Sequence, residues 1–545
     1  MREKKDFFWA DQLADMVIKR AKREGKIVSI RSGQTPSGGK HIGNMNDPIR
    51  AHFVYRAVKE KGMKAKFINT SDDRDPLKDI PARLADLDGR WFPSNEFPEL
   101  KKYIGFPLCN IPDPFGCCKS YAQHFDNLWI SGLHELGIKP ERFSNDELYR
   151  KGIFDSHIEM VFRKIEEARE IIRKYQKTKG KNYIPFDAIC PNCGILTNVS
   201  DFDLENKTVS FVCGGKSIKD KRSEGCGEKG EVSFREGKLQ WRFEWPAQWK
   251  IFETNFEPFG KDHYAGSWQS GKEIAKRIFE IEPPIPYVYE FFLVNGEKMS
   301  ASVGNVYITQ DILKIIEPEI FLYFYTKKPG KQRDLDLKRI NLLVEDFEHV
   351  ERVYFGEEEE KNEKEKKNLI RMYEMSNSAI PKTRPLRIPY TFSAMIAQVV
   401  SKEKMLESAL EILKRTGHIK GKISEEDRKR IKKRLILAKN WAESYAPEQY
   451  KIRIMDEPDP SIVEKLSSEQ KRALKFLAEE LKDKKMSEEE LYSLFWEISK
   501  KHDLKPQQFF QAVYLVLLGR DSGPRLASFI TVIGQERVAA ILEKI

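Results

Sequence analysis

Residues 27–70 constrain this chain more than any other stretch. Ile27 to Arg31 (IVSIR) is a short β-branched run, and Ser32 to Lys40 (SGQTPSGGK) is a loop of Gly, Ser and Pro. A helical pattern begins near His41 to Pro48, turns Ile49, Phe53, Val54 and Val58 inward, and stops at Gly62. Ala65 to Thr70 (AKFINT) is the next strand-like run. Strand, glycine-rich turn, helix and strand in that order predict a β-α-β unit within a parallel, nucleotide-binding sheet. The turn carries the chemistry. Glycines let the backbone approach a phosphate-bearing ligand, and the following helix offers free N–H groups and the positive end of its dipole. In Pro36 to Asn44 (PSGGKHIGN), His41 is a hydrogen-bond donor suited to phosphate oxygens. A surface loop with an incidental histidine fits this segment equally well when it is taken alone.

A second loop of the same kind follows a late strand-like run, Val288 to Asn295 (VYEFFLVN). In Glu297 to Asn305 (EKMSASVGN), Lys298 sits in a Ser/Gly loop from which a long side chain can swing onto a triphosphate. Its alternative is a solvated turn.

The cysteines read as metal ligands rather than disulfides. There are seven, an odd number, and all lie between residues 106 and 240. Cys190 and Cys193 form a CxxC pair, with Cys213 and Cys226 further on, and three of the four precede a glycine. Such steps turn backbone N–H groups towards thiolate sulfur, and four thiolates suit a closed tetrahedral Zn²⁺ site. Asp113, Cys117, Cys118 and His124 are a second set, with Cys109 upstream and with Pro114 and Gly116 to bend the backbone. The alternative for these is buried, unliganded cysteine.

Composition bounds the remainder. The chain of 545 residues is too long for one core and divides into several domains. A net charge of +11 favours a polyanionic partner such as nucleic acid without establishing one. The N-terminus mixes acids and bases, unlike a signal peptide. The most apolar run, Ala512 to Gly519, is far short of the ~20 residues that cross a bilayer. No membrane partner is expected, and the cytoplasm is the default compartment. Beyond the charge run Glu357 to Lys367, helical periodicity dominates to Ile545.

The two signature loops, about 250 residues apart, resemble the HIGH and KMSKS motifs of class I aminoacyl-tRNA synthetases. Asn44 replaces the second histidine and Ala301 the second lysine. Asparagine still donates a hydrogen bond, whereas the loss of a lysine places more phosphate charge on Lys298 and on Mg²⁺. Ser71 to Pro81 (SDDRDPLKDIP), Ile111 to Gly116 (IPDPFG), Glu257 to Trp268 (EPFGKDHYAGSW) and Gly523 to Leu526 (GPRL) resemble the archaeal-type class I lysyl-tRNA synthetases, so the likeness runs from about Lys26 to the end.

That resemblance implies a Rossmann-like parallel-sheet α/β catalytic domain with a zinc-bearing insertion, followed by an α-helical C-terminal domain. Its boundaries would be 1–105 and 241–310 for the two catalytic halves, 106–240 for the insertion, 311–367 for a stem-contact-like region and linker, and 368–545 for an anticodon-binding domain. It implies ATP, Mg²⁺ and one or two structural Zn²⁺ as cofactors, lysine as the amino acid and tRNA-Lys as the partner. The lysine carboxylate would attack the α-phosphorus of ATP, which requires no covalent protein nucleophile, only positioning and charge neutralisation. His41, Asn44 and Lys298 would be catalytic. Pro36, Gly43, Asp262, Ser300 and Ser302 would bind ATP, and Gly33, Thr35, Trp241, His263 and Tyr289 the amino acid. Trp241 and Tyr289 read equally well as core aromatics. Asp72 and Asp73 are candidate acceptors for the lysine ammonium, with helix capping as the alternative. The basic stretch His418 to Arg434 reads either as a solvated helix face or as a contact to RNA phosphates. Two other readings remain at this point: a different class I synthetase or related adenylyl transferase, and a non-catalytic tRNA-binding paralogue. Intact His41 and Lys298 argue against the last.

Overall fold

Strand β1 (Val28–Gln34) has six of its seven residues buried, so it requires neighbours along both edges and cover on both faces. The computed structural model, which describes residues 8–218, 221–327 and 330–545, supplies them. Helix α1 (Asn46–Glu60) crosses over to β2 (Ala65–Ser71), and α2 (Tyr121–Glu135) leads to β3 (Glu141–Ser144). Later in the chain come α3 (Trp241–Ile251), β4 (Phe256–Gly260) and β5 (Ile285–Tyr289). The sheet order is β5-β4-β1-β2-β3, all parallel, with Ile30 opposite both Phe256 and Phe67. The chain leaves β1 towards β2 on one side and meets β4 on the other. A crevice for ligands therefore opens at the carboxyl ends of β1 and β4, the switch point of such a sheet.

Three elements differ in extent from the sequence expectation, each for a local reason. Strand β1 runs to Gln34 rather than Arg31, because Ser32, Gly33 and Gln34 continue the register with Asn69, Thr70 and Ser71, and the Asn69 amide donates to Ser32 Oγ at 2.8 Å. Helix α1 starts at Asn46, since residues 41–45 form tight turns (Asn44 N donates to His41 O at 2.8 Å) and the Asn46 amide donates to Gly43 O at 3.0 Å. The run 288–295 is two strands. Residues to Tyr289 stay in the parallel sheet, whereas Phe292–Val294 pairs with Glu297–Lys298 across an Asn295-Gly296 turn. Both turn residues have positive φ, 52° and 80°, the conformation that this dipeptide favours in a two-residue hairpin.

The cysteine-rich segment forms an antiparallel sheet of its own, ordered Lys229–Ser233, Thr208–Val212, Leu196–Asp203, Phe186–Ile189, Gly237–Leu239. It packs Phe186, Val209, Phe211 and Val232 against helices Asp155–Arg163 and Ile165–Tyr175.

These elements belong to a first unit, made of residues to 312 with 321–335 and 359–380. A second unit comprises residues 313–320, 336–358 and 381–545 and is helical around an aliphatic core that includes Leu413, Leu435, Leu477, Phe495, Val513 and Phe529. Within it the basic stretch His418 to Arg434 divides. Arg428 and Arg430 lie on the outer part of helix Glu425–Ser444 and pair with acids there. Arg434 is buried, bonding Glu317 at 2.8 Å, the Ile388 carbonyl at 2.9 Å, and Glu348. It is thus neither a solvated face nor open to RNA. Because Arg434→Met leaves Glu317 buried without its partner, the variant should lose about 3–5 kcal/mol of stability in chemical denaturation of the second unit. A loss near zero would mean that the cluster is solvated.

Candidate active site and metal centres

Beneath the crevice, the strands carry charge where apolar residues would normally stand. Arg31 on β1 is 1% exposed and pairs with Glu257 on β4 at 2.5 Å. It also donates to Thr70 Oγ1 at 2.5 Å and to Gln248 Oε1. Helix α3 completes the net: the Trp245 and Trp249 indoles donate to the two oxygens of Glu257 at 2.9 and 2.8 Å. Gln248 passes a hydrogen bond on to Asp72 Oδ1 at 2.9 Å, which Asn145 also reaches at 2.9 Å.

Above this net lies a cavity of about 420 Å³. Of the residues expected from sequence it gathers Gly33, Thr35, Asn44, Asp72, Trp241 and His263, and it adds Arg31, Lys40, Asp47, Lys78, Trp129, Trp245 and Glu257. Tyr289 stands behind the wall, donating its hydroxyl to Asp47 at 2.7 Å. Asp262 is half-exposed beside His263 and Gly260, outside the cavity lining. The two acids left open by sequence part company. Asp72 lines the cavity, whereas Asp73 accepts Asp146 N at 2.8 Å and the Ser144 hydroxyl, holding the start of helix Asn145–Arg150. Burial, with Asp75 next, raises the Asp72 carboxyl to about 6 against the pull of Arg31. Burial likewise holds Asp47 well above the usual carboxylate range, opposed by the Tyr289 hydrogen bond. Carboxyls perturbed in this way ionise readily once a cation enters beside them.

The signature loops meet nearby. A side chain at Gly43 would place its Cβ 2.8 Å from His41 Nδ1, so only glycine lets the imidazole lie flat on this turn. Burial, then Lys40, lowers His41 to about 4, leaving a neutral ring at physiological pH. Among the described residues its buried Nδ1 has no partner, nor has Gln34 Oε1. Lys298 sits on the hairpin with its ammonium 4.1 Å from the centre of the Phe291 ring. Ser300 and Ser302 share a hydrogen bond at 2.9 Å and line a further cavity with Thr35 and Lys40. Pro36 precedes Ser37 at the head of the same turn.

The family model for class I (K) tRNA synthetases matches residues 7–379, and one described as an anticodon binding domain matches residues 404–545. The chain belongs to the class I tRNA synthetases. It is similar to the lysine–tRNA ligase of Natronomonas pharaonis, with 36% identity over 98% of this chain and 97% of that protein. The protein of the same name from Halobacterium salinarum is 37% identical over 98% of this chain and 97% of its own. That from Methanocaldococcus jannaschii is 35% identical over 97% and 98%. An aminoacyl-tRNA synthetase uses ATP and acts on tRNA, and no helix among the described residues is long and apolar enough to cross a membrane.

This synthetase also draws together both sets of potential metal ligands, the ligand atoms of each set lying within 4.8 Å of one another. Cys190 and Cys226 have sulfurs 3.7 Å apart, and Cys193 and Cys213 3.5 Å apart. A zinc ion with ~2.3 Å bonds to four sulfurs would set them ~3.8 Å apart, so the thiols fit. The backbone N–H of Glu228 lowers the Cys226 thiol to about 7, against the opposing effect of desolvation. In the second set, His124 Nε2 faces the Ala85 carbonyl at 3.0 Å, an orientation that suits Nε2–H donation and leaves the Nδ1 lone pair inward. That Nδ1 is 3.3 Å from Cys117 Sγ and 3.2 Å from Asp113 Oδ1. Asp113 Oδ2 accepts Cys117 N and Cys118 N at 2.9 and 2.7 Å, which wraps the loop around the centre. Cys109, by contrast, stands apart from both sets.

Sequence reading missed Arg31, Asp47, Trp245, Glu257 and Lys78. Its available signal was charge inside buried strand patterns, Arg31 in VSIRSGQ and Glu257 in FEPFG.

Proposed function

We infer that this chain is a lysine–tRNA ligase, activating lysine with ATP and transferring it to tRNA-Lys. The observation that carries this reading is the near full-length match to lysine–tRNA ligases on both sides of the comparison. The crevice supports it. A lysine substrate brings two ammonium groups and an alkyl chain, and this cavity offers the carboxylates Asp72 and Asp47 together with the indoles of Trp129, Trp241 and Trp245. The reading assigns Gly33, Thr35 and His263 to the amino acid, with Tyr289 acting through Asp47. It assigns Pro36, His41, Gly43, Asn44, Asp262, Lys298, Ser300 and Ser302 to the nucleotide, which enters with Mg²⁺. Neutral His41 is then an N–H donor to phosphate rather than a fixed cation. Lysine-dependent exchange of pyrophosphate into ATP, across a panel of amino acids with tRNA present, tests the assignment. Exchange with another amino acid and not with lysine overturns it.

Activation should depend on tRNA. Both signature loops are rich in Gly and Ser, and binding energy from the remote tRNA body can be used to order reacting groups. Exchange with lysine alone should lie near background and rise sharply when tRNA is added, whereas robust exchange without tRNA refutes this dependence.

Charge builds on the departing pyrophosphate mainly in the transition state, so Lys298→Ala should slow single-turnover activation ~100-fold or more while weakening ATP binding much less. An unchanged rate removes Lys298 from the mechanism.

In the helical unit, cavities of about 820 and 600 Å³ share Glu488, Gly523, Pro524, Arg525 and Ser528, beside half-exposed Tyr492 and Trp496. Aromatic faces and a cation beside a cavity suit unpaired bases, and this reading gives that surface to the anticodon.

The same reading places structural Zn²⁺ at Cys190, Cys193, Cys213 and Cys226, and a second at Asp113, Cys117, Cys118 and His124. Zinc there would neutralise crowded thiolates and tie loops that the sheet alone leaves unjoined. Elemental analysis of protein purified without added metal should give two zinc ions per chain, and Cys117→Ser should leave one. Finding none refutes both centres.

A further inference from the structure

Lys78 lines three neighbouring cavities of the first unit: the 420 Å³ pocket above, one of about 580 Å³ that extends to Gln240 and Thr197, and one of about 410 Å³ beside the KMSAS loop. The last is bounded by Ser37, Lys40 and Lys78 on one side and by Ser300, Ala301 and Ser302 on the other. Ala82 N donates to the Ala301 carbonyl at 2.9 Å, so the segment that carries Lys78 is tied to the loop at the position where a second lysine is missing. Lys298 does not line this cavity; its ammonium rests over Phe291.

The cations facing the space are therefore Lys40 and Lys78, and neither has a carboxylate at ion-pair distance among the described residues. Among the described residues Lys40 Nζ donates to the Ser37 hydroxyl alone, at 3.2 Å. Asp75 is engaged by buried Lys238, which also binds Glu244 at 2.8 Å. Burial, then the neighbouring Lys78, lowers Lys40 to about 8, with Asp75 and Asp72 opposing. Two like charges crowded at the mouth of a crevice are costly until an anion joins them.

We propose that Lys40 and Lys78 together hold the pyrophosphate end of the nucleotide, supplying the positive charge that the KMSAS loop lacks at Ala301. This rests on the reading that the chain activates an amino acid with ATP. In that step a carboxylate oxygen of the amino acid bonds to the α-phosphorus. The bond from that phosphorus to the bridging oxygen breaks, and pyrophosphate leaves with the electron pair. No proton moves. Two ammonium groups placed at the leaving end stabilise the charge that grows there more than they stabilise bound ATP.

The test measures the affinity of magnesium pyrophosphate for the full chain by calorimetry, with no amino acid present, and then lysine-dependent exchange with tRNA. Lys40→Ala and Lys78→Ala should each weaken pyrophosphate binding ~10-fold or more and lower the exchange rate. Adding Ala301→Lys to Lys78→Ala should recover most of the loss, a rescue that a merely structural role would not show. Lys78 is exposed, so its variant carries the test if Lys40→Ala fails to fold. Unchanged pyrophosphate affinity in Lys78→Ala, or no recovery on adding Ala301→Lys, overturns the proposal. Since pyrophosphate affinity is read without any amino acid, absence of lysine-dependent exchange in the unaltered protein counts against the proposed function and not against this site.

Discussion

The pairing of Arg31 with Glu257 underlies the catalytic unit. It joins adjacent parallel strands from segments 226 residues apart, at a depth where an unpartnered charge would cost several kcal/mol. The strand pair could have been apolar with no loss of fold. What the ion pair adds is direction. Glu257 accepts two indoles of α3, and Arg31 and Gln248 lead on to Asp72. Floor, wall and one acid of the pocket are thus held by a single chain of hydrogen bonds. Apart from Arg31 Nε, the polar groups of this chain are engaged before any ligand arrives, which is the form of preorganisation that electrostatic catalysis requires.

Charge in the site is graded by environment rather than by residue type. His41 is neutral because it is buried beside Lys40, while burial raises the Asp47 and Asp72 carboxyls above the usual carboxylate range. A cationic substrate entering such a pocket favours the ionised form of these acids, so its binding is linked to their deprotonation. A neutral isostere of that substrate would draw no such response.

The parts visible in the sequence are those whose partners are near in sequence or fixed by spacing. The turn after β1 and the grouping of the eight candidate ligands in two sets depend on local geometry and spacing, whereas the hairpin at Asn295-Gly296 lay hidden inside an apolar run that reads as a single strand. The choice between Asp72 and Asp73 is not local, because it turns on Ser144, Asn145 and Asp146, which β3 brings alongside. The floor formed by Arg31 and Glu257 was equally hidden, since each charge is anomalous in its own strand and is explained only by the other. In the helical unit, Arg434 is one more basic residue of its run in the sequence, whereas the fold surrounds it with Glu317 and Glu348. Periodicity reports which face of a helix is buried, but not that a particular cation on it is matched.

The close approach of Gly43 to His41 has a consequence for how this loop can change over time. Any side chain at position 43 collides with the ring at 41, so the two positions are not free to drift independently. A descendant lacking the imidazole would gain tolerance at 43, whereas one that first acquired alanine there would have its histidine displaced. The order of substitution is thereby restricted to one path, and retention of the ring preserves the bare backbone beside it.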